Sequence, residues 1–175
     1  MNLKRVVVTG MGALTPIGNS VEDFWANLLA GKSGAGPITR FNASKYKTRF
    51  ACELKNFDPL DFLDKKEARK LDRFAQTAIA SSDEAVKDAG ITANGFNVDR
   101  IGVVYASGIG GLITFQEEVM NFGKGDGTPR FNPFFIPKMI LDIAAGHISM
   151  RHGFRSQFRS SQRLRLFYKR DYGSF

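Results

Sequence analysis

The chain of 175 residues is 43% hydrophobic and 24% charged, the balance of a globular domain with one core rather than of a disordered or fibrous chain. No run of about 18 apolar residues occurs, which excludes a membrane-spanning helix, and a lone cysteine, Cys52, excludes an internal disulfide. The net charge of +8 suggests an acidic partner, but five basic residues against Asp171 within residues 156–175 supply half of it, so the remainder does not read as a nucleic-acid binder.

The N-terminus lacks the long apolar stretch of a signal peptide, and a cytoplasmic location is the expectation. Arg5-Val-Val-Val-Thr9 is a β-rich run ending at Gly10 and predicts a buried strand. Gly10, Gly12 and Gly18 punctuate the loop that follows. Asn19-Ser20-Val21-Glu22 predicts a helix start, Phe24, Leu28 and Leu29 its apolar face, and Gly31 its end. Residues 32 to 60 read mostly as loop. From Leu71, the spacing of Phe74, Ala75, Ala78, Ile79, Ala85, Val86 and Ala89 predicts a helix stopped by Gly90. Ile101 to Ala106 predicts a second buried strand. A helix follows from about Leu112, and another runs from Pro137 through Met139, Ile140, Ile143 and Ala144. Strands alternating with helices argue for an α/β fold with a largely parallel sheet.

Few motifs carry chemistry on their own. Val6 to Gly12 opens like a dinucleotide-binding fingerprint, but Thr15 stands where a third glycine belongs and Pro16 and Gly18 precede any helix, so a structural turn is the better reading. Ser107-Gly108-Ile109-Gly110-Gly111 reads as a tight strand-to-helix turn. Lys65, Lys66, Arg69, Lys70 and Arg73 form a basic cluster, interrupted by Glu67 and Asp72, that is either a solvated face or a dock for an acidic partner. His147 and His152 lack partners at metal-ligand spacing, so no metal site is expected. His147, beside Ala144-Ala145-Gly146, reads as structural, and Cys52 as a buried, unreactive thiol. These residues assemble no catalytic constellation. A nucleotide-binding α/β protein and a non-enzymatic binder using the basic tail stay open as alternatives.

Four stretches taken together carry a resemblance. They are Arg5-Val-Val-Val-Thr-Gly-Met-Gly-Ala-Leu-Thr-Pro-Ile-Gly18, Lys66-Glu-Ala-Arg-Lys-Leu-Asp72, Ser107-Gly-Ile-Gly-Gly-Leu112, and Asn132-Pro-Phe-Phe-Ile-Pro137 through Ala145-Gly-His147. In this order they resemble the N-terminal part of β-ketoacyl-[acyl-carrier-protein] synthase II, the elongating condensing enzymes, over roughly residues 3 to 155. The resemblance implies an α/β, thiolase-like fold, here an incomplete first half of a duplicated architecture, with residues 1–155 as the domain. It implies a Claisen condensation in which a cysteine at a helix N-terminus carries the acyl chain and two histidines assist. Ile109, Phe134 and Phe135 match positions lining the acyl pocket. Lys66, Arg69, Lys70 and Arg130 match the patch that docks the acidic acyl carrier protein. A homodimer is implied for the full-length family, with no cofactor, no nucleic acid and no membrane. No catalytic residue carries over: His147 matches a non-catalytic position, and the histidine pair belongs to the absent second half.

The nucleophile should follow residue 155, where the family pattern Gly-Phe-Arg-Gly-Pro leads into a strand and then Ala-Cys-Ala. Here Gly153-Phe154-Arg155 fits and Ser156 breaks it. Shifting the codons of Arg155 to Ser174 by one base, with permitted synonymous codons, yields GPNFAVVSACASSTNAIMEA, which resembles the missing strand and nucleophile motif. Its cysteine falls at the Leu164–Arg165 codons. Residues 156–175 therefore read as an out-of-frame tail, through mutation or sequencing error, and the chain as an inactive fragment that leaves apolar surface uncovered.

Overall fold

The strongest helical periodicity in the sequence becomes the longest helix of the structure, a computed structural model that describes residues 5–91 and 95–156 and the backbone of Arg159–Ser160. This helix, α3, runs from Arg73 to Asp88. Ala75, Ala78 and Ile79 are buried at the expected spacing. The chain divides into two compact units. One holds the described residues up to Asp58 together with those from Ala80 to 91, and the other holds Pro59–Ile79 together with the described residues from 95 onward.

In the first unit, α1 spans Val21–Leu29, and Ser20 caps it by accepting the Asp23 N–H at 3.1 Å. Strands β1 (Gly36–Pro37) and β2 (Phe50–Ala51) pair antiparallel, and Ile38 N–H donating to Arg49 C=O at 3.1 Å extends the pairing. The rest of residues 32 to 60 is mostly loop, as expected. Glu84 and Asp88, one turn apart on α3, hold the glycine-rich loop. Asp88 accepts Met11 N–H at 2.9 Å, and Glu84 accepts Ala13 N–H and Val21 N–H, each at 2.8 Å. A Cβ on Gly10 would sit 2.4 Å from Ala85 C=O, and one on Gly12 1.9 Å from Ser81 C=O. Glycine is needed here because backbone lies directly on helix backbone.

In the second unit, α2 (Lys65–Lys70) precedes α3, and a short 3₁₀ turn (Val98–Arg100) leads to β3 (Val104–Tyr105). Helices α4 (Leu112–Lys124), α5 (Phe135–Met139) and α6 (Ile143–His152) follow. β4 (Arg159–Ser160) runs parallel to β3, with Val104 opposite Arg159. α6 packs near β3, and its Ala144 and Ala145 are fully buried. Arg151 on α6 donates to Phe62 C=O at 2.9 Å and reaches Glu67 on α2 at 3.9 Å.

Several expectations fail for identifiable reasons. The run Val6–Val8 forms no strand, and Val6 is 91% exposed, because no neighbouring strand among the described residues offers it a ladder. The second strand shrinks to Val104–Tyr105; Val103 is buried but Val104 is 76% exposed. The helix expected from Pro137 to Ala144 is two helices. α5 ends at Met139 because Ile140 is extended (ψ 143°), and α6 begins anew at Ile143. α3 begins at Arg73, so most of the basic cluster lies on the separate α2. Cys52 is exposed, not buried, since it follows β2 at the surface. No helix among the described residues is long and apolar enough to cross a membrane.

Candidate functional site

Helix α2 presents the cations. Asp64 caps it, accepting the N–H groups of Lys66 and Glu67 at 2.7 and 2.8 Å, and these bonds hold its carboxyl below the usual range. Ala68 faces inward, and Lys66, Arg69 and Lys70 are exposed. Arg69 and Lys70 occupy the last turn, where the helix dipole favours positive charge.

The next residues join this ridge to the glycine turn. Asp72, only 7% exposed, accepts Phe74 N–H at 3.2 Å at the start of α3. Its other oxygen accepts Thr114 N–H at 3.2 Å and the Thr114 hydroxyl at 2.6 Å, in the first turn of α4. Gly111, the N-cap of α4, has no side chain to do this itself. The turn is pressed onto the end of α5. Gly111 N–H donates to Met139 C=O at 3.1 Å, Gly110 adopts φ +81°, and a Cβ on Gly111 would lie 2.3 Å from Lys138 C=O. Ile109 projects from this turn and is 65% exposed.

Four aromatic rings stack on one another in the same unit. Phe135 lies 6.2 Å from Phe115 and 5.8 Å from Phe131, and Phe131 lies 5.4 Å from Phe122, all near parallel. Phe134, next to this stack, is 41% exposed, and the Lys70 ammonium sits 5.5 Å from its ring centroid. The turn that carries Ile109 thus lies on the C-terminal end of α5, whereas Phe134 and Phe135 stand at its N-terminal end, with Lys70 over Phe134. Lys66 and Arg69 stand on the same short helix as Lys70. Arg130 is exposed beside Phe131 and pairs with Asp126 at 3.3 Å. The Thr128 backbone and side chain hold the Asp126 carboxyl below its usual range.

His147 is half-buried on α6, and burial lowers its pKa below the ordinary 6.5 against a smaller opposing pull from Glu67. No group of three metal-ligating side chains occurs among the described residues. The glycine loop does not read as a phosphate cradle, because Met11 and Ala13 give their N–H groups to carboxylates, which repel a pyrophosphate. The Leu164–Arg165 codons lie outside the described residues. Sequence reasoning missed Thr114, Glu84 and the roles of Phe115, Phe122 and Phe131. Asp72 was legible only as a charge interrupting a basic run.

Residues 3–158 match the family described as beta-ketoacyl synthase, N-terminal domain. The chain is 46% identical over 150 residues to 3-oxoacyl-[acyl-carrier-protein] synthase 2 of Synechocystis sp., and 49% identical over 153 residues to the protein of the same name from Staphylococcus aureus. Each alignment covers 86% of this chain and 36% of the relative, so the chain spans little more than a third of their length. Among solved structures, the ishigamide ketosynthase/chain length factor superposes with a TM-score of 0.79 at 26% identity, over 88% of this chain and 38% of that one. The ketosynthase AntDE, determined in complex with its acyl-carrier protein AntF, superposes at 0.72 with 24% identity, over 90% and 41%. The matched span, the relatives and the shared thiolase-like architecture agree: this chain belongs to the β-ketoacyl synthase family and carries its N-terminal domain.

Proposed function

We propose that the protein to which this chain belongs elongates fatty acyl chains by decarboxylative Claisen condensation, in the cytoplasm and as a homodimer. A cysteine thiolate takes the acyl group from its carrier. Malonyl-carrier protein then loses CO₂, and the resulting carbanion attacks the acyl thioester, forming 3-oxoacyl-carrier protein and freeing the thiol. In this reading Lys66, Arg69, Lys70 and Arg130 dock the acidic carrier protein, and Ile109, Phe134 and Phe135 line the path of the acyl chain. One observation carries it: Lys70, at the end of the exposed cations of α2, sits over the Phe134 ring. That pairing suits a partner that is acidic outside and delivers an apolar chain. The names of the relatives and the carrier-protein complex of a structural neighbour support the same reading.

The catalytic step is not carried by the chain as written. Its one cysteine, Cys52, lies on the surface of the other unit, and we read residues 156–175 as the product of a shifted frame. The test is the gene sequence from codon 150 to several hundred bases past codon 175. An open shifted frame that encodes Ala-Cys-Ala and two later histidine motifs is expected, and its full-length product condenses acyl-enzyme with malonyl-carrier protein while the 175-residue chain does not. A shifted frame that closes within a few codons overturns the frameshift. Turnover by the 175-residue chain overturns its assignment as inactive.

A further inference from the structure

Phe134 combines a backbone held by hydrogen bonds with a ring that is 41% exposed. Its N–H donates to Asn132 Oδ1 and its C=O accepts Lys138 N–H, each at 2.8 Å, so the main chain is pinned on both sides. Its neighbour Phe135 is held between Phe115 and Phe131. The Phe134 ring joins no ring stack among the described residues and remains 41% exposed, its recorded partner being the Lys70 ammonium at 5.5 Å. Rotation about its side-chain bonds is the motion left to it.

Lys70 also ends the exposed cationic ridge. A cation over an exposed ring is a weak contact, similar in strength to one ion pair in a charged interface, so a carboxylate or phosphate can replace it. We propose that Lys70 is a positioning residue that exchanges partners. Without a carrier protein it holds the Phe134 ring, and with one docked it turns to an acidic group of the carrier and releases the ring. Docking and access to the acyl path are then read by one side chain. This rests on the carrier-docking function proposed above.

The test places 4-fluorophenylalanine at position 134 of the full 175-residue chain and follows its ¹⁹F resonance during titration with holo-acyl carrier protein. Binding is read separately from the anisotropy of labelled carrier. Lys70→Met is expected to move the resonance, without carrier, to the position that the unsubstituted chain reaches at saturation. Lys70→Arg, which keeps a cation for the ring, leaves it in place. Lys66→Met weakens carrier binding about three- to fivefold without moving the free resonance. Carrier binding that depends on Lys66 but leaves the resonance fixed overturns the exchange and keeps the docking function. A resonance that responds to Lys70→Met in a chain that binds no carrier overturns the docking function, and the exchange with it. A fluorine signal at the free amino-acid position in the unsubstituted chain, or one indifferent to Lys70→Met, overturns the contact itself.

Discussion

Asp72 serves two helix ends with one side chain. It accepts from Phe74 in α3 and from Thr114 in α4, and among the described residues no other side chain accepts from those donors. Asp72→Ala leaves buried N–H and hydroxyl donors unpaired, and in the frame-restored protein it is expected to remove about 2–4 kcal/mol of stability in urea unfolding. Asp72→Asn, which keeps one acceptor oxygen, is expected to cost about half as much. Glu84 has the corresponding part in the other unit. Glu84→Ala should accelerate hydrogen exchange at Ala13 and Val21 about tenfold, while Met11, held by Asp88, keeps its rate. Neither carboxylate was identifiable as a tether from sequence. Their distant main-chain donors lie 42 positions away for Asp72 (Thr114) and 71 and 63 for Glu84 (Ala13 and Val21), and a backbone donor has no residue type to recognise.

At the scale of elements, helices were more legible than strands, and for a physical reason. A helix satisfies its own backbone, so the spacing of Ala75, Ala78 and Ile79 was enough to find α3. A strand depends on neighbours, so Val6–Val8 has the composition of one without forming one. The break between α5 and α6 was hidden because Ile140 and Ile143 continue the apolar pattern across it. The glycine turns were readable as turns, and Gly10, Gly12 and Gly111 prove to be points of backbone contact. Helix α6 carries a pH dependence. The depressed pKa of His147 means that both folded and unfolded states are neutral above 6.5, and that below it the unfolded state takes up a proton first. Stability should therefore fall as pH drops from 6.5 through the folded-state pKa. The His147→Gln variant should lack this component when thermal melts are compared between pH 7.5 and 5.

For the whole molecule, the uncovered apolar surface is the main consequence. Val6, Val8, Trp25 and Leu29 are exposed in one unit, and Leu112, Phe115, Phe122 and Ile136 in the other. Scattered apolar residues are ordinary, but contiguous runs such as Val6–Val8 are not. The 175-residue chain is expected to bind an environment-sensitive apolar dye several-fold more strongly per mole than the frame-restored protein. Equal fluorescence would show that the second half does not cover these faces. The family was legible at this scale, because four motifs in order are far more specific than any one of them. The docking and pocket roles proposed for Lys70 and Phe134 rest on matched positions; the contact between the two side chains was not legible in the sequence.

The short pairing of Arg159–Ser160 with β3 has one more implication. A parallel ladder is built from main-chain N–H and C=O groups, which every residue but proline supplies alike. A place in a sheet is therefore indifferent to the reading frame that fills it, provided the chain arrives with an extended backbone. Catalysis has no such tolerance, since the thiol exists only in one frame. If the proposed shift of frame holds, a single base at this junction separates architecture from chemistry, and a chain can keep the outline of an enzyme without its reactive atom.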